Sequence, residues 1–184
     1  MINVVLWVII GIVVLIAVYI ILTFNSLIML RNRVDNAWAQ IDVQLKRRYD
    51  LIPNLVNSVK GYMKHEKGVL AEVTKMRSSL ISGSMSQKAK ATDAISNALK
   101  SIFAVSERYP KLQASENFKM LQEELAGTES KIAFARQFYN DNVMDLNNKV
   151  QQFPSRIIAN LLNMKEREFF KSAEEEKKTV KVEF

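Results

Sequence analysis

Residues 4–24, VVLWVIIGIVVLIAVYIILTF, carry no charge and are almost wholly aliphatic. At 1.5 Å per residue a helix of that length spans about 31 Å, the thickness of a bilayer's hydrocarbon core. The run therefore predicts a transmembrane helix, marked along its length by Val4, Trp7, Gly11, Leu15, Tyr19 and Phe24, with Trp7 and Tyr19 placed to meet the two interfaces. A cleaved signal peptide is the rival, but it calls for a basic start, a shorter apolar core and a small-residue cleavage site. Met1 to Asn3 has no basic residue, and Leu27-Ile28-Met29-Leu30 offers no such site. Gly11 alone makes no helix-pairing motif.

Charge begins abruptly after the apolar run. Residues 31–80 hold ten Lys or Arg against five Asp or Glu, so much of the net charge of +7 lies just beyond the anchor. The basic flank puts the N-terminus outside and the rest of the chain in the cytoplasm, and favours anionic headgroups. About 150 residues remain, enough for one domain. With 5 Gly and 3 Pro in 184 residues, helix is favoured over sheet. The chain has no cysteine, which excludes disulfides, thiolate metal sites and cysteine nucleophiles.

Apolar spacing organises the remainder. Leu27, Leu30, Val34, Ala37, Ile41, Leu45, Tyr49, Ile52, Val56, Val59 and Met63 recur by threes and fours, predicting that the anchor continues directly into a long helix with a narrow buried stripe. Pro53 removes a backbone donor, so a kink is expected there; the alternative is a new helix capped by Asp50. Gly61 and Gly68 bracket a reversal. A second helix presents Leu70, Val73, Met76 and Leu80, and residues 82–86 form a loop with Ser86 as the next cap. A third carries Ala91, Ile95, Ala98, Leu99, Ile102 and Val105 and stops at Pro110. The fourth, capped by Ser115 and ended by Pro154, carries Leu121, Leu125, Thr128, Ile132, Ala135, Tyr139, Val143, Leu146, Val150 and Phe153.

Two short helices between two long ones predict an all-α fold: an N-terminal transmembrane helix continuing into an antiparallel up-down four-helix bundle. The expected divisions are an anchor over 1–30, a bundle over 31–153, an amphipathic helix over 154–171 and a charged tail over 172–184. Phe153, Ile157, Ile158, Leu161, Leu162, Phe169 and Phe170 make the amphipathic helix a candidate for the membrane interface, or simply a lid on the bundle core.

Chemistry is sparse. His65 has no second histidine or cysteine beside it and reads as solvated rather than as a metal ligand. Asp35 and Asp42 share a helix face, but Arg31, Lys46 and Arg48 lie within helical reach, predicting structural ion pairs rather than acid/base work. No Walker loop, Ser-His-Asp set or glycine-rich cradle is present. Lys46-Arg47-Arg48 lacks the aromatic platform of a nucleic-acid site, and a membrane-proximal flank explains it. Trp38 is a core residue or an interface hot spot. No catalytic residue, cofactor or metal is expected.

Several long motifs occur in order: Leu30-Arg31-Asn32, Val34-Asp35-Asn36-Ala37-Trp38, Gln44-Leu45-Lys46-Arg47-Arg48-Tyr49-Asp50-Leu51-Ile52-Pro53-Asn54-Leu55-Val56, Val59-Lys60-Gly61-Tyr62, Glu116-Asn117-Phe118, Leu121-Gln122-Glu123-Glu124-Leu125, Thr128-Glu129, Ile132-Ala133, Ala135-Arg136, Phe138-Tyr139-Asn140 and Phe153-Pro154-Ser155. By these the chain resembles the LemA family of bacterial single-pass membrane proteins over nearly its whole length. The resemblance implies a membrane helix, a cytoplasmic helical bundle, no established enzymatic activity, and a loose association with membrane-protein quality control and HtpX-type membrane proteases. Two functions compete on this reading. One is a self-associating membrane scaffold or adaptor whose polar seam residues Gln44, Arg48 and Asp50 set register between chains. The other is a lipid-binding or membrane-shaping protein acting through the basic flank and the 153–170 segment.

Overall fold

A computed structural model describes residues 2–62 and 67–171. Met63 and His65, and the charged tail expected over 172–184, lie outside the described residues. Among those described, the chain is all-helical: α1 (Ile2–Lys60), α2 (Lys67–Arg77), α3 (Ser79–Ser82), α4 (Met85–Ser106), α5 (Pro110–Gln113), α6 (Glu116–Gln151) and α7 (Ser155–Leu161). The apolar run is the N-terminal part of α1, a helix long and apolar enough to cross a membrane, and its side chains lie exposed except for Thr23.

Helix α1 passes through Pro53 without interruption, so Asp50 caps nothing and is instead bonded to Lys46 at 2.7 Å. Proline cannot donate to the carbonyl four residues earlier, which leaves the Tyr49 oxygen without its helical partner. The Arg77 Nε–H donates to that oxygen at 2.8 Å, and its guanidinium lies 3.6 Å over the Tyr49 ring. A side chain from α2 thus replaces the missing backbone donor.

Other boundaries moved. The cap of α4 is Ser84, two residues before the expected Ser86, and it forms a complete capping box with Gln87. Gly83 precedes it because a Cβ there would meet the Ser79 carbonyl at 2.6 Å. Helix α4 ends at Ser106, and Pro110 starts α5 rather than stopping α4. Ser115 directly precedes α6 as expected. The helix expected over 154–171 ends at Leu161: Asn163 adopts a left-handed φ of 51°, and the Asn147 carboxamide then accepts from the Arg167 N–H and donates to its carbonyl at 2.8 and 2.9 Å. Both bonds require Arg167 to be outside a helix.

Burial follows the expected stripes. Leu27, Val34, Ala37, Ile41, Leu45, Ile52 and Val59 are buried on α1, as are Leu125, Thr128, Ile132, Ala135, Tyr139, Val143, Leu146 and Val150 on α6. Leu55 and Phe118 join them. Phe153, expected as the last seam position, is exposed.

The described residues form two compact units: those up to Trp38 with Phe138–Phe169, and those within Ala39–Gln137 with Phe170 and Lys171.

Candidate functional site

Polar chemistry in the second unit converges on Arg48, whose side chain has 0% exposure. Its position falls on the buried stripe of α1, between Leu45 and Ile52, which carries the side chain inward between α4 and α6. Nη2 is paired with the Glu129 carboxylate, while Nη1 donates to the Thr92 carbonyl at 3.3 Å and to Ser96 Oγ at 3.2 Å. Ser96 in turn donates to the other Glu129 oxygen at 2.7 Å. Burial pulls the Arg48 pKa down to about 10; positive Arg136 acts in the same direction and Asp93 opposes both. Arg48 Nε and the Gln44 Oε1 atom are buried without a hydrogen-bond partner among the described residues.

Further ion pairs surround this centre. Arg136 bonds Asp93 at 2.9 Å, both largely buried, with its guanidinium 4.8 Å over the Phe170 ring. Lys88 reaches Asp42 at 2.6 Å, and Arg47 is paired with Glu124. Asp42 of α1 is thus held by a residue distant in sequence rather than by Lys46 or Arg48 on its own helix, whereas Asp50 pairs with Lys46 one turn before it. Arg48 faces into its own chain. Sequence reasoning missed Thr92, Ser96, Glu129, Asp93 and Arg136 as its surroundings. The available signal was small polar Thr92 and Ser96, four residues apart, interrupting the inner face of α4.

In the first unit, Trp38 meets Tyr139 edge-on at 5.5 Å between ring centroids. Tyr139 donates its hydroxyl proton to the Glu168 carbonyl at 3.0 Å, and Asp35 accepts from Arg167 at 3.1 Å. The Tyr139 pKa is raised chiefly by burial, with Arg167 opposing and Asp35 and Glu168 adding to the rise. Arg31, Leu146 and residues 162–167 line one open groove. The apolar residues expected at an interface divide: Ile158 is buried and Leu162 half-buried, whereas Phe153, Ile157, Leu161 and Phe169 are exposed. Phe170, buried, belongs to the other unit.

No group of three His, Asp or Glu among the described residues is placed to hold a metal ion. The arrangement is one of charge pairing that fixes helices, with apolar side chains left outside. Two likenesses accompany it. The sequence profile of the LemA family matches residues 37–184. Protein LemA of Metamycoplasma hominis is 27% identical over 158 residues, covering 83% of this chain and 71% of that protein.

Proposed function

Since the chain belongs to the LemA family, we propose from that premise that it is a membrane-anchored, non-enzymatic scaffold or adaptor that self-associates and supports membrane-protein quality control. The anchor is the apolar part of α1, crossing the bacterial cell membrane with its N-terminus outside and the helical domain in the cytoplasm. The domain is an up-down four-helix bundle. Supporting this, Asp93 pairs with Arg136 while Ser96 pairs with Glu129, so α4 and α6 run in opposite senses; Asp42 meets Lys88 and Arg48 meets Ser96, so α1 and α4 run in the same sense.

The observation that carries self-association is Phe134, a phenylalanine on α6 with 73% exposure, placed two heptads after exposed Met120 on the same helix face. Large apolar side chains at heptad spacing, outside their own core, suit a second copy of the chain. Other membrane proteins, HtpX-type proteases among them, are the partners that the family resemblance suggests. The test is the mass of the full-length protein in nanodiscs by native mass spectrometry. A discrete assembly that Phe134→Asp reduces is expected; a monomer at every loading sinks the self-association reading.

A further inference from the structure

We propose that the surface built by residues 153–167 lies in the headgroup–acyl boundary of the bilayer crossed by α1 and holds anionic phospholipid there. The proposal rests on the anchor reading but is independent of self-association. Its first support is register within one compact unit. Trp38 meets Tyr139 edge-on, and seven residues back along α1 Arg31 shares a groove with Leu146, seven residues on along α6. Continuing at one residue for one residue brings Phe153 level with Phe24, the last residue of the apolar run. Burial of Thr23 and Leu27 agrees: apart from α1 itself, the unit contains only Phe138–Phe169 to cover them.

At that level the chain turns apolar residues outward. Phe153, Ile157 and Leu161 follow one another at four-residue steps and are 82%, 56% and 79% exposed, while Ile158 and Ala159 beside them are packed inward. A helix of this length with apolar side chains on both its inner and outer sides has no preference for water on the outer one. Lipid acyl chains begin at this height, and they supply the missing solvent.

Charge completes the match. Left-handed Asn163 ends α7 and sends residues 164–167 along the groove beside Arg31. Arg31, Lys165 and Arg167 line it against one acid, Glu166; Arg167 is paired with Asp35, Arg31 and Lys165 have no carboxylate within ion-pair distance among the described residues, and Arg156 is exposed on α7 next to Ile157. A phosphodiester headgroup above an acyl chain fits cations placed just above an apolar stripe.

Because the native chain has no cysteine, single labels are specific. A polarity-sensitive fluorophore is attached to Ile157→Cys, Leu15→Cys or Phe134→Cys in the full chain, in nanodiscs of phosphatidylcholine with or without phosphatidylglycerol, and quenched by lipids bearing nitroxides at shallow or deep positions. Shallow quenching at Ile157, deep quenching at Leu15 and none at Phe134 is expected. Loss of quenching at Leu15 overturns the anchor and the proposal together. Quenching at Leu15 with none at Ile157 overturns the proposal alone, as does an apolar emission at Ile157 that no lipid nitroxide quenches, which would assign the stripe to a second copy. Native mass spectrometry then counts retained lipids: Arg31→Gln and Lys165→Gln should each lower the preference for phosphatidylglycerol about fivefold. An unchanged preference overturns the anionic assignment.

Discussion

A fully buried guanidinium is costly unless its charge is matched and its donors are used. Arg48 meets most of that demand through Glu129, Ser96 and the Thr92 carbonyl, so the partner matters more than the pair. Glu129→Ala leaves the charge in the core and should cost about 3 kcal/mol, whereas Arg48→Met removes the charge with its need and should cost less. Denaturant melts of both variants and of the double variant measure this. Equal losses for the two single variants would discount the buried charge. Tyr139 supplies a pH-dependent counterpart. Its folded pKa is raised, so unfolded chains lose the phenolic proton first; its contribution is full below about pH 10 and falls as pH rises through and beyond that value. Ultraviolet titration should show a late-ionising component that Tyr139→Phe removes, and above pH 10 the wild type should lose stability faster than this variant. Neither site was legible in the sequence as a site. A basic residue on a seam does not say whether it faces a neighbour or its own core, and Glu129 lies 81 residues away.

Elements were more legible than their ends. Three-four periodicity identified the buried stripes of α1, α4 and α6 because each is long and one-sided, and the periodicity is a direct consequence of 3.6 residues per turn. Ends depend on single hydrogen bonds. The Ser84-to-Gln87 capping box is readable in sequence once sought, but the Asn147 clamp on Arg167, which stops α7 from extending, joins residues 20 apart and leaves no local trace. Pro53 is the instructive case: its effect on the helix depends on Arg77, 24 positions later. Arg77→Ala strands the Tyr49 carbonyl and should destabilise the protein by about 1–2 kcal/mol. In a Pro53→Ala background the backbone N–H returns to that carbonyl, and the same Arg77→Ala change should cost only the lost contact with the Tyr49 ring. A double-mutant cycle reads the difference; additive effects would mean that Arg77 does not serve the proline.

At the scale of the whole molecule, periodicity could place apolar residues on faces but could not say which faces stay uncovered. Met120 and Phe134 belong to no stripe read from the sequence, yet both are exposed on α6. If the apolar part of α1 confines the chain to a membrane plane, copies meet at a local concentration far above that in solution, so a contact too weak to persist between free chains can form. Assembly should therefore be stronger in the bilayer than in dilute detergent at equal protein amount. Counting photobleaching steps of singly labelled chains in liposomes, against mass measurement in detergent, compares the two. Phe134→Asp should shift the liposome counts to single steps while changing stability by no more than about 0.5 kcal/mol, since the side chain packs against little of its own domain. Multi-step bleaching that survives Phe134→Asp would move the contact to another face, whereas single steps for the wild type at high loading would leave only an adaptor that needs a different membrane protein to assemble.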